Sequence, residues 1–228
     1  MEPGTLYIVA TPIGNLEDFT YRAAATLREK VDYIYCEDTR QTRKLLGHYG
    51  ISVETRSLHA HSSPRKVEEA LRLLREGRSI AYLTDSGTPG ISDPGGALVA
   101  AARGAGIPVS PIPGPSALSA IASVSGFRGR RIIFCGFLSR KEGKRDRELL
   151  ALRDLEGTIV LYESPHRIEK LLNAVSRIFP GAPVLIGREM TKFHEEFIQC
   201  TADDLVSVSE GLTKKGEFTI LISNGTSE

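Results

Sequence analysis

The chain has 228 residues, 41% hydrophobic and 25% charged, as expected of a soluble globular protein with one large domain or two small ones. Its net charge of +1 neither favours nor excludes a nucleic acid partner, so local charge must decide. Three widely separated cysteines exclude a paired zinc or redox motif and indicate a reducing, cytoplasmic compartment, and no apolar run reaches the ~18 residues of a membrane span.

The first predicted strand, Leu6 to Ala10, leads into a loop with a single glycine, Gly14. This loop matches neither the three-glycine dinucleotide motif nor the Walker motif, which argues against the two commonest phosphate sites. A helix capped by Thr20 is predicted to about Lys30, and a second strand covers Tyr33 to Cys36.

The segment that follows the second strand, Glu37 to Lys44, mixes acids with Arg40, Arg43 and Lys44 near the start of a helix. These cations indicate either a solvated helix surface or a site for an anionic substrate. Further on, His59 and His61 alternate as on a strand, but no third ligand stands at a metal-binding spacing, so no metal is expected. The next segment, Pro64 to Glu76, has apolar residues at helical spacing and predicts a core helix.

A Gly/Pro-rich loop, Leu83 to Gly95, follows the predicted strand Ser79 to Leu83 and precedes a predicted helix from Gly96 to Ala105. Its glycines permit positive φ or close approach to a ligand, and Asp85 and Asp93 are hydrogen-bond acceptors. An ordinary turn with capping aspartates is the alternative.

Two more strand ends resemble this one. The loop after the first strand contains Pro12, and the predicted strand Val109 to Ile112 ends in Pro113 to Ser116 before a helix from Ala117 to Ser125. Alternating strands and helices predict right-handed crossovers and a mainly parallel sheet, in which the three turns can share one edge. That edge is the predicted ligand pocket.

The segment Arg128 to Arg147, here called the basic segment, carries eight positive and two negative residues. Clustered cations suit a phosphate backbone, whereas a solvated, self-paired helix is the alternative. Because the composition changes here, we place the domain boundary at its start, giving domains 1–125 and 126–228.

In the second half, strands are predicted at Thr158 to Tyr162 and Pro183 to Gly187, and finally at about Phe197 to Cys200 and Phe218 to Ile222. Ser164, followed by Pro165, predicts a helix N-cap. Glu163, Arg188 and Glu189 lie just beyond strand ends, where they can either shape a site or form structural ion pairs.

Seven blocks in this order closely resemble the bacterial ribosomal RNA small-subunit methyltransferase I family. They are Leu6–Asp18, Cys36–Arg40, Leu83–Gly95, Pro113–Ala117, Tyr162–His166, Gly187–Lys192 and Gly216–Glu217. The segment Ala60 to Pro64 departs from the usual family pattern.

The resemblance implies a tetrapyrrole-methylase-like α/β fold of two domains, the first with a mainly parallel sheet and the second with a mixed sheet. It also implies S-adenosylmethionine bound in the cleft between the domains, a homodimer, and 2′-O-methylation of a cytidine ribose in the decoding centre of 16S rRNA. The cofactor contacts carried over by position are Ile13, Asp85, Gly87, Gly90, Ile91, Ser116, Ala117, Tyr162, Met190, Phe218 and Thr219.

For catalysis we expect Glu163 as the base or an orienting acceptor, with Arg188 and Glu189 shaping the site. For RNA phosphates we expect Arg40, Arg43, Lys44, Arg140, Lys141, Lys144 and Arg145 as contacts. Two alternatives remain open, a tetrapyrrole methyltransferase of the same fold and a non-catalytic RNA-binding assembly factor.

Overall fold

The computed structural model describes residues 2–59, 63–127 and 131–225. The chain forms two compact units, Met1–Ser116 and Ala117–Glu228, each with its own five-stranded sheet. In the part of the chain that is described, no helix combines the length and the apolarity needed to cross a bilayer.

The sheet of the first unit is parallel throughout. Its strands are β1 (Leu6–Val9), β2 (Tyr33–Cys36), β3 (Glu54–Ser57), β4 (Ile80–Leu83) and β5 (Val109–Ile112). Their spatial order is β3-β2-β4-β1-β5, so β1 lies between β4 and β5. The carboxyl ends of β4, β1 and β5 are therefore neighbours at one edge of the sheet.

Among the described residues of this unit, four helices cover the two faces of the sheet. They are α1 (Tyr21–Glu29), α2 (Thr39–His48), α3 (Pro64–Arg75) and α4 (Gly96–Gly104). Apolar residues of α1 and α2 form one core cluster against the sheet, and those of α3 and α4 form another, because short parallel strands buried on both faces need cover on each.

The sheet of the second unit is mixed. Its strands are β6 (Ile132–Gly136), β7 (Gly157–Glu163), β8 (Pro183–Arg188), β9 (Glu196–Thr201) and β10 (Phe218–Asn224). The order is β6-β7-β10-β8-β9, in which only the β6–β7 pair is parallel.

The helices of the second unit are α5 (Ala117–Val124), α6 (Glu142–Arg153), α7 (Ile168–Ile178) and α8 (Leu205–Gly211). The core packs α6, α7 and α8 against one face of the sheet, with Leu149, Leu172 and Leu205 fully buried. Since α5 contacts β10, this helix falls with the second unit, whereas the sequence-based boundary at 125/126 stands after it.

The two-domain α/β class and the mainly parallel first sheet are confirmed. The helix start predicted at Ser164 is wrong, because α7 begins at Ile168 with Arg167 as its N-cap. The Ser164 carbonyl accepts the amides of Arg167 and Ile168 in the turn that precedes the helix. His59 does not lie on a strand, because β3 ends at Ser57, and His61 lies outside the described residues.

Candidate functional site

The three predicted turns of the first unit are joined by hydrogen bonds. Thr11 and Gly87 form an isolated antiparallel bridge, with N–O distances of 2.9 and 3.0 Å, which links the turn after β1 to the turn after β4. The Thr88 hydroxyl donates to the carbonyl of Pro115 at 3.1 Å and so links the turn after β5. The prediction that these turns share one edge is confirmed.

Two buried threonines fix the shape of this assembly. The Thr11 hydroxyl donates to the Thr84 carbonyl at 3.1 Å, and the Thr84 hydroxyl donates to the Gly87 carbonyl at 3.4 Å. Because these hydroxyls satisfy carbonyls that follow the end of β4, the chain can turn there without leaving buried polar groups unpaired.

Gly87 packs against both neighbouring turns. Its φ is +80°, and a Cβ at this position would lie 3.4 Å from Cγ2 of Ile13 and 3.8 Å from the Pro115 carbonyl oxygen. Gly90 also has a positive φ, +86°, but nothing lies within 4 Å of the Cβ position. Gly87 therefore serves close approach of two segments, while Gly90 leaves open backbone beside Ile91.

Acidic groups line the same sheet edge, at the ends of β2 and β4. The Asp85 carboxylate accepts the amide of Asp38 at 3.1 Å, and burial together with the Asp38 charge raises the pKa of Asp85. Burial, and then the charge of Asp85, also raises the pKa of Glu37. The sequence analysis did not single out Glu37, although it stands directly after a buried strand, like Asp85.

In the second unit, Tyr162, Thr219 and Gly187 are paired side by side across β7, β10 and β8. Directly opposed residues share one face of a sheet, so the three lie on the same face. Met190 is buried, and its Sδ would lie 2.9 Å from a Cβ on Gly187. This face therefore brings together three predicted cofactor contacts, Tyr162, Thr219 and Met190.

The Tyr162 side chain also fixes the start of α5. Its hydroxyl accepts the amide of Leu118 at 3.1 Å, and its ring contacts Phe134 and Phe137 edge-on. Tyr162 thus positions the residues at the start of α5, where Ala117 was predicted to contact the cofactor.

Glu163, Phe218 and Arg188 are paired on the other face of the same sheet, the face that carries the core. The Glu163 side chain is 1% exposed, lies 3.0 Å from the Arg167 guanidinium and accepts the amide of Ser164. Arg188 donates to Glu196 at 2.8 Å. The structure does not bring Glu163 and Arg188 to the face of Tyr162 and Thr219, and their contacts are those of structural ion pairs.

Glu189 joins the turn after β8 to the residues that precede β10. Its carboxylate accepts the Lys192 ammonium at 2.8 Å and the amide of Glu217 at 3.0 Å. Burial opposes ionisation of Glu189, but these hydrogen bonds outweigh it and lower the pKa of the carboxyl. Glu189 therefore holds a charge that orders the turn carrying Met190.

The predicted RNA contacts differ in exposure. Arg40, Arg43, Lys44, Arg140, Lys141 and Lys144 are exposed, although Arg40 is paired with Asp38 at 2.7 Å. Arg145 is 7% exposed and donates to Asp146, so its guanidinium is not offered to a phosphate. Arg128 and Arg130 of the basic segment lie outside the described residues.

Comparison with known sequences gives a consistent result. Residues 5–206 match the model of the family described as Tetrapyrrole (Corrin/Porphyrin) Methylases. The chain is 43% identical to "Ribosomal RNA small subunit methyltransferase I" of Leptospira biflexa, covering 98% of this chain and 92% of that protein. It is 46% identical to the protein of the same name from Borrelia garinii, covering 97% and 100% of the two chains.

Solved structures share the fold at low sequence identity. A cobalt precorrin-4 methyltransferase superposes with a TM-score of 0.72 at 18% identity, covering 96% of this chain and 94% of that one. A uroporphyrin-III C-methyltransferase from Thermus thermophilus, complexed with S-adenosyl homocysteine, gives a TM-score of 0.65 at 20% identity, covering 96% and 97%. At these identities the likeness is evidence of the fold alone.

Proposed function

Because the chain belongs to the ribosomal RNA small subunit methyltransferase I family, within the tetrapyrrole methylases, we propose that it methylates the 2′-hydroxyl of a cytidine in the decoding centre of 16S rRNA. The methyl donor is S-adenosylmethionine. The observation that carries the proposal is the identity of 43–46% to relatives of that name over nearly the whole chain.

The residues present suit S-adenosylmethionine. This cofactor has no phosphate, and it needs apolar surface for adenine, backbone groups for its carboxylate, and acceptors for its ammonium and ribose hydroxyls. In the first unit, Ile13 and Ile91 supply apolar surface, Gly87 and Gly90 supply close backbone, and Asp85 supplies an acceptor.

In the second unit, the matching set is the face formed by Tyr162, Thr219 and Met190, with Ala117 at the start of α5. Ser116 immediately precedes Ala117. Phe218 has its side chain in the core, so its contact with the cofactor would be made by its backbone. When bound, the cofactor supplies a methyl group activated by the adjacent sulfonium.

The protein must hold a ribose hydroxyl in line with the methyl group and accept its proton. Positioning of the two reacting groups supplies much of the rate in such a displacement. The burial of Glu163 and its pairing with Arg167 make it a structural residue rather than a base. We place Glu37 as the candidate general base, because its raised pKa makes it a stronger proton acceptor than an ordinary carboxylate.

Exposed cations position the RNA. Arg40, Arg43 and Lys44 on α2, with Arg140, Lys141 and Lys144 at the start of α6, contact phosphates and set register rather than read sequence. Arg145 is left out of this set because it is buried. We further propose that the enzyme works in the cytoplasm as a homodimer, as the family resemblance implies.

Two rival functions require different substrates. A tetrapyrrole methyltransferase would share the cofactor site, and a non-catalytic assembly factor would bind RNA without the cofactor. The named relatives at 43–46% identity favour the RNA methyltransferase over the tetrapyrrole enzymes, which share 18–20% identity with this chain.

The test combines a binding and a transfer measurement. Calorimetric titration with S-adenosylmethionine should show one site per chain, and radiolabelled methyl groups should pass to small subunits that lack the modification. Mass spectrometry of nuclease digests should then find 2′-O-methylcytidine. Transfer to a uroporphyrinogen or precorrin but not to rRNA would establish the tetrapyrrole rival, and RNA binding without cofactor binding would establish the assembly factor.

A further inference from the structure

The turn between β8 and β9 presents an aromatic ring that no part of the described structure covers. Phe193 is 97% exposed, and its neighbour His194 lies edge-on to it, with ring centroids 5.0 Å apart. Single exposed apolar residues are common on protein surfaces, so exposure alone says little. The exposure of Phe193 is informative because the turn that carries it is ordered.

The backbone of the turn is held by several independent bonds. The Glu189 amide donates to the Glu217 carbonyl at 3.0 Å, and the Glu189 carboxylate accepts both the Glu217 amide and the Lys192 ammonium. At the far end, the Thr191 amide donates to Glu195 at 2.6 Å. The ring is therefore displayed on an ordered support and not on a loose loop.

This support includes two residues in an unfavourable conformation. Glu189 has φ +49° and Thr191 has φ +68°, and the left-handed region costs an L-residue stability unless its surroundings fix it. The same turn contains Met190, which is buried against Gly187 on the face with Tyr162 and Thr219. Phe193 thus stands three residues from a proposed cofactor contact, on one continuous ordered turn.

We propose that Phe193, flanked by His194, is a stacking platform for an unpaired base of the RNA substrate. The inference rests on the proposed function. Sequence-specific proteins recognise RNA mostly through unstacked single-stranded bases, and an exposed aromatic face is the side chain that such bases stack upon.

The local charge favours stacking over phosphate binding at this turn. Lys192 is paired with both Glu189 and Glu217, and Arg188 is paired with Glu196. The segment 188–196 holds two positive and three negative residues, so it offers no net attraction to a phosphate. Its contribution to RNA binding should therefore be nearly independent of salt, unlike that of α2 and α6.

The chain contains no tryptophan, which makes a direct optical test possible. Phe193→Trp places a single indole at the turn, and Tyr21→Trp places one at the start of α1, where the native side chain is 96% exposed. The substrate that the native enzyme methylates, the rRNA or the subunit, is titrated into each variant. Emission from the Phe193→Trp protein should be quenched by stacking, while emission from Tyr21→Trp should stay unchanged.

The kinetic test uses truncations of the same two positions. Phe193→Ala should raise KM for RNA about tenfold with little change in its salt dependence, and Phe193→Trp should restore the native value. Tyr21→Ala should leave KM unchanged. The affinity for S-adenosylmethionine, measured calorimetrically, should be native in all four variants, since a fully exposed ring does not support the turn.

The remaining outcomes overturn the proposal in distinguishable ways. An unquenched Phe193→Trp protein, or a native KM in Phe193→Ala, removes Phe193 from the RNA contact while the methyltransferase function stands. A shift of Phe193→Ala to half the native mass in sedimentation would assign the ring to a contact between two copies of this chain. Absence of methyl transfer by the native protein would reject the proposed function itself.

Discussion

The lack of a Cβ at Gly87 is important for the proposed cofactor site. A Cβ at this position would already touch Ile13, 3.4 Å from its Cγ2, so the additional γ-carbons of a valine would press on the turn after β1, and the positive φ adds backbone strain. The bridge to Thr11 stabilises the same turn. We expect Gly87→Val to abolish S-adenosylmethionine binding in calorimetry while the protein stays folded, at a stability cost of about 1–2 kcal/mol for the left-handed backbone.

Gly106→Val is the matched control for this change. Gly106 has φ +69° with nothing within 4 Å of its Cβ position, so the variant carries the same backbone strain away from the turns. It should lose similar stability and keep native cofactor affinity. Equal loss of cofactor binding in both variants would mean that strain, and not the contact with Ile13, explains the Gly87 result.

Glu37 allows a test of the general base through pH. Burial and the Asp85 charge raise its pKa above the ordinary value of 4.5, so the group is protonated and inactive over a wider acidic range. We expect kcat to rise as pH increases through this raised pKa. In Glu37→Gln that limb should disappear and kcat should fall about 10²-fold or more, with cofactor affinity unchanged. An unaltered pH profile in Glu37→Gln would remove Glu37 from the mechanism.

Glu163 should behave as a structural residue. Its carboxylate is 1% exposed, and its removal in Glu163→Ala leaves Arg167, itself 23% exposed, without its charged partner and with only backbone carbonyls as acceptors. We expect a loss of about 3 kcal/mol in the free energy of unfolding, measured with urea. Glu68→Ala, which breaks an exposed pair with Arg75, should change it by less than about 1 kcal/mol. A folded Glu163→Ala protein of native stability with no activity would restore Glu163 as a catalytic residue.

At the scale of single elements, α6 and the residues before it carry positive side chains in two environments, exposed and buried. Arg140, Lys141 and Lys144 are exposed at its start, while Arg145 faces inward and contacts Asp146. A triple change of the three exposed residues to alanine should weaken RNA binding and reduce the slope of log K against log salt by up to about 2. Binding isotherms between low and moderate salt would measure this slope.

The control for the triple change comes from α3. Arg65, Arg72 and Arg75 are exposed cations outside the proposed set of RNA contacts, and their change to alanine should leave the salt slope unchanged. Cofactor affinity should be native in both triple variants. A native slope in the α6 variant would assign the basic segment to solvated surface.

Sequence patterns located elements best where apolar periodicity or capping chemistry was strong. Thr20 caps α1 as expected, with its hydroxyl oxygen accepting the Ala23 amide. The strand β3, with the sequence Glu-Thr-Arg-Ser, was missed because it contains no apolar residue and exists only by pairing with β2. Edge strands of this kind carry no periodic signal that local sequence can show.

The residues of the candidate site also could not be sorted from local sequence alone. Proximity to a strand end indicated Glu163 and Arg188, whereas Tyr162 was implied by the family resemblance, although all three follow or end buried strands. The register of β7, β10 and β8 divides them between two faces of the sheet, and strand pairing is a long-range property. The burial of Arg145 among exposed cations depends likewise on how α6 packs.

For the whole molecule, the proposed cofactor contacts come from both units, so binding should stabilise both. At a free ligand concentration of 100 times Kd, the gain is about 2.7 kcal/mol, which for a chain of this size raises Tm by about 5–10 °C. Hydrogen exchange should slow in peptides covering 85–91 and in those covering 187–192. Protection confined to one of the two would limit the contacts to that unit, and Gly87→Val should show neither effect.

The position of β1 in its sheet has a consequence for biosynthesis. This strand spans residues 6–9, yet its two neighbours end at residues 83 and 112. A nascent chain therefore emerges with β1, an interior strand of the sheet, unable to pair on either side before residue 83 is translated, or on both sides before residue 112. During that interval the unpaired edges of β1 can associate with the wrong strand or chain. In the second unit, β6 and β7 are near neighbours in sequence, so we expect the first unit to depend more on chaperones during translation.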